Sequence, residues 1–243
     1  MTQVPDAPYI REAETKGYWP LWQGAERRPM MTITYKPGCT FDEETHTYTF
    51  LGRRVPSVTE LCAPLTAGKY SVGAGVVEAA ANRGSAVHEY TRLYDLDILP
   101  AEIEAEVLPY LSAYAAFIRD YAPQWDYVEI PLFSSSYAGT ADRIGRIDGA
   151  PYIVDIKTTA SMDRASKLAL ACQLYGYSQL ARDIFFPDTY SAFRLIGVQL
   201  KKDGTYTVHE VNDITSRYKV KLPALFNSLV TINKALKGDV KNG

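Results

Sequence analysis

The most constraining stretch of the chain is 139–159, which carries Asp148-Gly149 at its centre. Both turn residues tolerate a positive φ, and the runs on either side alternate in polarity, which is typical of a two-residue β-hairpin. A turn centred there places Asp142 directly across from Asp155. Because side chains alternate along a strand, Asp155 and Lys157 share a face, roughly 7 Å apart. The sequence therefore predicts that three charged groups meet on one patch.

Two ionised carboxylates at Asp142 and Asp155 would repel each other in this arrangement. Direct neighbours across an antiparallel pair lie about 5 Å apart, so the repulsion is about 3 kcal/mol at an effective dielectric near 20. A hard divalent cation such as Mg²⁺ or Mn²⁺ between them removes it. With Lys157 beside the cation to hold or deprotonate a water, the patch suits metal-dependent hydrolysis of a phosphodiester. The residues alone leave open an exposed hairpin in another register with scattered charges.

Four short motifs follow one another within the stretch from about Phe41 to Val211. In chain order they are Arg83-Gly84-Ser-Ala-Val-His88, Gly139-Thr-Ala-Asp142, Asp155-Ile156-Lys157 and Gln173-Leu-Tyr-Gly-Tyr177. In this order they resemble the PD-(D/E)XK nuclease superfamily, and within it the RecB-like and phage-type exonuclease branch. Ala141-Asp142 stands where the superfamily name has Pro-Asp.

The resemblance implies a metal centre and a set of catalytic residues. Asp142 and Asp155 would bind one or two Mg²⁺ or Mn²⁺ ions, the Ile156 carbonyl would be a backbone ligand, and His88 would support a metal. Lys157 would position or activate the attacking water. Some relatives in this branch carry an iron–sulfur cluster held by four cysteines, whereas this chain has three cysteines, far apart, so no such cluster and no disulfide framework is expected.

Four positions have both a functional and a structural interpretation. By resemblance Gln173 and Tyr177 face the active centre and contact substrate phosphate or base, although a Gln-Tyr pair four residues apart on a helix could equally be packing. Glu129 matches a strand glutamate of the family and could be a third carboxylate at the metal centre or a solvated strand residue. Without the resemblance, His88 on an apolar helix stripe would more often be a core histidine.

The function that the resemblance implies is a metal-dependent DNA exonuclease, in recombination, repair or phage DNA metabolism. A catalytically silent DNA-binding or assembly module of the same fold is one alternative, and a site-specific endonuclease is another. The intact set of Asp142, Asp155 and Lys157 argues against a silent module. The His88 and Gln173 motifs favour the branch that acts on DNA ends.

The composition is that of a globular protein with a full core: 243 residues, 47% hydrophobic and 22% charged. The net charge of −2 gives no general attraction to nucleic acid, so contacts with DNA must come from local basic patches. A homo-oligomer or a recombination partner protein stays open as a further partner. The sequence contains no membrane-length apolar run and no signal-type segment, so we expect no membrane association. We expect a cytoplasmic protein, in the host cytoplasm if a phage encodes it.

The expected fold is α/β: a mixed central sheet flanked by helices, with the αβββαβ core of the restriction-endonuclease-like superfamily. Residues 1–31 are expected to form an extended N-terminal arm and 32–243 a single nuclease domain. Within that domain we expect a hairpin over 32–55, a core at about 75–211 and a C-terminal helical region at 214–237. Helices are also predicted to start at Ser57 and to span 69–94, 101–120 and 164–183. The helix over 101–120 is expected to be an insertion.

Overall fold

A computed structural model of the protein describes residues 38–68, 74–185 and 193–238. The predicted N-terminal arm, 1–31, lies outside the described residues, as does the first part of the predicted hairpin, 32–37. Within the described residues the chain is α/β, with one mixed five-stranded sheet, one three-stranded antiparallel sheet and flanking helices. None of the described helices combines the length and apolar character that a membrane span requires.

The N-terminal hairpin prediction is wrong in one respect, because this region forms three strands rather than two. They are β1 (Cys39–Asp42), β2 (Thr47–Phe50) and β3 (Arg53–Val55), each antiparallel to the next. Asp42 Oδ1 accepts a hydrogen bond of 2.9 Å from the Thr45 amide, which closes the first turn. Leu51 and Gly52, both with positive φ, make the second.

The predicted capping box is confirmed at the start of α1 (Val58–Cys62). The Ser57 hydroxyl accepts from the Glu60 amide at 2.9 Å, and a Glu60 carboxylate oxygen accepts from the Ser57 amide at 2.7 Å. The helix ends at Cys62, and a 3₁₀ turn follows over Ala63–Leu65 with Pro64 inside it. Pro64 therefore stops the α-helix, as its missing amide hydrogen predicts.

Five strands form the central sheet, in the order β4-β5-β6-β7-β8. They are β4 (Gln124–Phe133), β5 (Ala138–Ile147), β6 (Ala150–Lys157), β7 (Arg194–Leu200) and β8 (Tyr206–Glu210). All neighbours are antiparallel except β6 and β7, which are parallel. The predicted hairpin and its register are confirmed: Asp148 and Gly149 have φ of 50° and 76°, and Arg143 pairs with Val154.

Five further helices surround the sheet: α2 (Ala74–Leu96), α3 (Leu108–Tyr121), α4 (Arg164–Phe185), α5 (Val211–Tyr218) and α6 (Leu222–Gly238). The helix predicted over 101–120 begins instead at Leu108, because Pro109 belongs in a first turn rather than in a helix interior. The single C-terminal helical region is two helices. Lys219 adopts a φ of 53° between them and ends the first.

The helices cover both faces of the five-stranded sheet. On one face lie α1, α4, α5 and α6, whose buried side chains pack with those of the sheet; they include Val58, Ile144, Ile153, Leu174 and Phe226. On the other face α2 and α3 pack in the same way; that cluster includes Val87, Phe117, Val154, Ile156 and Val198. Adjacent residues of β6 thus enter opposite clusters, as the alternation of a strand covered on both sides requires.

Candidate metal centre

The candidate site lies where β5 and β6 separate. Their pairing ends at Arg143 and Val154, whereas β5 stays paired with β4 as far as Ala138. Asp142 and Asp155 are the next residues beyond that last pair. There the Asp142 carboxylate replaces a backbone acceptor, since its Oδ2 accepts a hydrogen bond of 2.6 Å from the Ile156 amide. This hydrogen bond holds the Asp142 side chain in the opening between β5 and β6.

Three side chains converge at this opening: His88 from α2, Glu129 from β4 and Asp142 from β5. Their potential ligand atoms all lie within 4.8 Å of one another. His88 Nδ1 is 3.7 Å from Glu129 Oε1 and 3.6 Å from Asp142 Oδ2, too far for good hydrogen bonds. Two carboxylates and an imidazole around a common gap are a donor set suited to a divalent cation.

Glu129 reaches this group through an unusual backbone conformation. It lies between the paired positions Val128–Arg143 and Ile130–Ala141, yet its φ is 49°, in the left-handed region that glutamate rarely adopts. Such a conformation costs on the order of 1–3 kcal/mol and is concentrated at functional sites. The strain is consistent with a strand bent to bring this carboxylate to the cluster.

Asp155 is outside the group of three, but its environment is equally unusual. Its side chain is 1% exposed, and neither carboxylate oxygen makes a hydrogen bond of acceptable geometry within the described residues. The Lys157 ammonium nitrogen lies 2.8 Å from Asp155 Oδ2, which is an ion-pair distance, so this oxygen has a counter-charge beside it, whereas Oδ1 has no donor within the described residues. This contact confirms the prediction that Asp155 and Lys157 lie on the same face of β6.

Lys157 is held from its other side by a chain of polar contacts. Its Nζ donates to Gln173 Oε1 at 3.0 Å, and Gln173 Nε2 donates to the Tyr177 hydroxyl at 2.9 Å. Gln173 Nε2 also lies 3.3 Å from Thr59 Oγ1, on α1. The Gln173–Tyr177 pair on α4 therefore faces the lysine. Thr59 was not singled out from the sequence, because its helix packs here only in the folded chain.

The ionisable side chains at the candidate site shift one another's pKa values. Burial alone would lower the pKa of His88, but the Asp142 and Glu129 carboxylates raise it to about 9. Burial raises the pKa of Asp142, and that of Asp155 to about 6, against the opposing effect of Lys157 on both. Burial opposes ionisation of Lys157, yet Asp155 and Asp142 raise its pKa, so it is an ammonium at neutral pH.

The structure thus brings together most of the predicted site residues, and Glu129 proves to be part of the three-residue cluster. Ile156 contributes its amide, as donor to Asp142; its carbonyl stays a predicted ligand. A separate cavity of about 410 Å³ is lined by residues of another region and by none of the cluster; they are Leu65, Asp163, Arg164, Ala165 and Leu168.

Comparison with known proteins adds little. No family model matches the chain, and no curated protein matches it. A solved structure titled "Crystal structure of SSO0001" is similar over 63% of this chain and 71% of that chain, with 18% sequence identity and a TM-score of 0.28. A similarity at that TM-score supports no argument about this chain.

Proposed function

We propose that the protein is a metal-dependent deoxyribonuclease that hydrolyses phosphodiester bonds from DNA ends. The observation that carries the proposal is the grouping of His88, Glu129 and Asp142 within 4.8 Å, beside a buried Asp155 paired with Lys157. Together they form an arrangement suited to a cation and a phosphate.

The order of the elements also supports a restriction-endonuclease-like core. The sequence α2, β4, β5, β6, α4, β7 gives the αβββαβ order, with α3 inserted between α2 and β4. Asp142 lies in β5 where its pairing with β6 ends, Asp155 and Lys157 lie in the last three residues of β6, and His88 lies on α2, which agrees with motif residues on two neighbouring strands and one helix.

The residues present fit a divalent cation. Asp155 is buried, and although the Lys157 ammonium lies beside its Oδ2, its Oδ1 has no donor within the described residues; a buried carboxylate oxygen of this kind is costly unless a cation or a donor approaches it. Asp142, Glu129 and His88 would hold the ion with Asp155. The carboxylate oxygens favour Mg²⁺ or Mn²⁺, and the imidazole nitrogen favours Mn²⁺ more than Mg²⁺. Bound there, the cation would polarise the phosphate and lower the pKa of a water.

Lys157 would act as a fixed positive charge rather than as a base. Because Asp155 and Asp142 keep it protonated, its ammonium can donate a hydrogen bond to the attacking water or to a phosphate oxygen. Gln173 fixes its direction through the 3.0 Å contact. Hydrolysis joins the water oxygen to phosphorus and releases the 3′ oxygen with a proton, leaving a 5′-phosphate, as the resemblance implies.

A matched pair of lysine variants tests this proposal. Lys157→Met removes the ammonium beside Asp155, whereas Lys167→Met removes an ammonium elsewhere along α4. With Mg²⁺ and linear DNA, we expect Lys157→Met to slow nucleotide release by roughly 100-fold or more, because a preorganised charge at the reacting phosphate is lost. Lys167→Met should act as the wild type does. Equal release by all three proteins, or release that survives EDTA, would contradict the proposal.

A further inference from the structure

A fully buried arginine lies directly behind the cluster. Arg143 follows Asp142 in β5, and its side chain is 0% exposed. One guanidinium nitrogen, Nη1, donates to Glu129 Oε1 at 3.1 Å and to the Asp142 carbonyl oxygen at 2.7 Å. Arg143 therefore touches two of the three residues of the cluster, although it lies too deep to reach solvent.

The third residue of the cluster is connected to Arg143 through one hydroxyl. Arg143 Nη2 donates to Thr91 Oγ1 at 3.2 Å, and Thr91 Oγ1 donates to the His88 carbonyl oxygen at 2.9 Å. Thr91 is fully buried and lies one helical turn after His88 on α2. The guanidinium is thus linked to the backbone segment that presents the histidine.

On the side away from the cluster, Arg143 is anchored to two helices. Its Nε donates to Asp95 Oδ2 at 2.5 Å and to the Tyr114 hydroxyl at 3.2 Å. The Tyr114 hydroxyl in turn donates to Asp95 Oδ2 at 2.6 Å. Asp95 lies on α2 and Tyr114 on α3, so the arginine ties both helices to the central strands.

From these contacts we infer that Arg143 is the positioning residue that holds His88, Glu129 and Asp142 in a geometry able to bind a divalent cation. The inference rests on the proposed function, which assigns a cation to this cluster. A planar guanidinium has five donors in fixed directions, so it can hold several acceptors at once, as a lysine ammonium cannot. Because Arg143 is buried away from solvent, it would act through the residues that hold the cation.

Two variants that each lose one hydroxyl group distinguish a positioning role of Arg143 from a packing role. Thr91→Val deletes the hydroxyl that connects Arg143 to the His88 carbonyl, and Tyr114→Phe deletes the hydroxyl on the anchored side. Both remove one buried partner of Arg143, but only Thr91 contacts a residue of the cluster. Calorimetric titration with Mn²⁺ alone should show roughly 10-fold weaker binding for Thr91→Val and unchanged binding for Tyr114→Phe. Urea unfolding of both variants shows what each deletion does to the fold.

The arginine itself is tested in two further variants. Arg143→Lys keeps the charge and loses the fork of donors. The double variant Arg143→Met with Asp95→Asn removes the guanidinium together with the more deeply buried of its two counter-charges, so that the Asp95 carboxylate is not left without its arginine. We expect Mn²⁺ binding to weaken by roughly 10- to 100-fold in each, the range seen when the supports of metal ligands are removed.

The results distinguish failure of this inference from failure of the proposed function. If the wild type binds Mn²⁺ and the folded double variant binds it equally well, Arg143 is a packing residue and the inference is wrong. Equal losses of affinity in Thr91→Val and Tyr114→Phe would contradict it as well. If the wild type binds neither Mn²⁺ nor Mg²⁺, the proposed function fails, and the inference fails with it.

Discussion

Asp155 is the side chain whose environment is least favourable without a cation. Burial raises its pKa to about 6 from the ordinary 3.8, so the folded protein holds this proton more tightly than the unfolded chain does. The stability gained by protonation is complete below pH 3.8 and is lost as the pH rises through about 6. At neutral pH the metal-free protein therefore keeps an ionised carboxylate at a cost to its stability.

The variant Asp155→Asn should consequently lose activity without losing stability. We expect Mg²⁺-dependent DNA hydrolysis to fall by roughly 100-fold or more, because an anionic oxygen at the cation is lost. The thermal midpoint of the metal-free variant at pH 7.5 should equal or exceed that of the wild type. The matched control is Asp148→Asn in the turn of the same hairpin, where asparagine tolerates positive φ and activity should be kept. A less stable Asp155→Asn protein would show that the carboxylate has a structural role.

His209 should make the stability of the protein depend on pH, separately from the residues of the candidate site. It is half-buried in β8, and its Nε2 lies 3.0 Å from Gln199 Oε1. Burial, together with the nearby Lys167 and Lys201, lowers the pKa of His209 below the ordinary 6.5. The unfolded chain thus binds this proton more tightly, and stability is lost as the pH falls through 6.5 towards the lower folded-state pKa.

Urea unfolding at pH 7.5 and at pH 5.5 checks this linkage. We expect His209→Gln to lose less stability between the two pH values than the wild type does, because glutamine takes up no proton. Identical losses in wild type and His209→Gln would show that the histidine makes no contribution.

Sequence reasoning placed the residues of the candidate site together but did not find the residues that support them. Asp142, Asp155 and Lys157 could be placed together because one turn sets the register of two strands. The position of Glu129 in the cluster could not be derived, because alternation does not predict a left-handed φ within a strand. Arg143 was missed because a charged residue in an alternating strand suggests a solvent face, whereas here Asp95 and Glu129 neutralise it in the interior.

At the scale of elements, the β5–β6 hairpin and helix α4 were the most predictable. Asp148-Gly149 fixes the turn of the hairpin, and apolar residues at spacings of three and four define the helix. The start of α3 was misplaced by about two helical turns, because the residues before Pro109 carry a helix-like pattern but do not form a helix. The extra strand at the N-terminus depends on a turn closed by Asp42, which propensity alone does not indicate.

Two glycines test how closely the elements around the site must pack. A Cβ added at Gly139 of β5 would lie 2.8 Å from Tyr177 Cε1 and 3.3 Å from Val58 Cγ2. At Gly84 of α2 it would meet only Thr158 Oγ1, at 3.6 Å. The close approach of α2 to the sheet therefore does not require a glycine at 84, whereas the packing of α4 against β5 requires one at 139.

We accordingly expect opposite effects from the two alanine variants. Gly139→Ala should destabilise the protein by about 1–3 kcal/mol, the usual cost of overpacking, and should displace the Tyr177 ring that supports Gln173. Gly84→Ala should stabilise it by about 0.5–1 kcal/mol through the higher helix propensity of alanine. Chemical denaturation measures both. A stable Gly139→Ala protein would mean that α4 and β5 can separate more easily than the distances suggest.

At the scale of the whole molecule, the order of elements was sufficient to predict a mixed sheet flanked by helices. A strand, a helix and a further strand predict a parallel pair, which β6, α4 and β7 confirm. The division of the helices between the two faces could not be predicted, because the apolar stripe of a helix shows which side is buried but not against which face of the sheet.

A cation at the cluster should stabilise the whole fold, because the residues proposed to hold it come from α2, β4, β5 and β6. Binding to the folded state alone raises stability by about 2.7 kcal/mol at a free cation concentration of 100 times the dissociation constant. We expect Mn²⁺ to raise the thermal midpoint and EDTA to reverse the change. Asp155→Asn should show a smaller rise, and an equal rise in that variant would show that Asp155 does not help to hold the cation.

The most direct test of the account is degradation of DNA with and without ends. Linear DNA labelled separately at each 5′ and 3′ end, single- and double-stranded, is incubated beside a covalently closed circle with Mg²⁺ or with EDTA. A nuclease that acts at DNA ends should degrade only the linear molecules in the presence of Mg²⁺, and Lys157→Met should abolish this degradation. Cleavage of the closed circle would contradict action at ends and favour an endonuclease. Binding of DNA without any cleavage under Mg²⁺ or Mn²⁺ would contradict hydrolysis and favour a silent module.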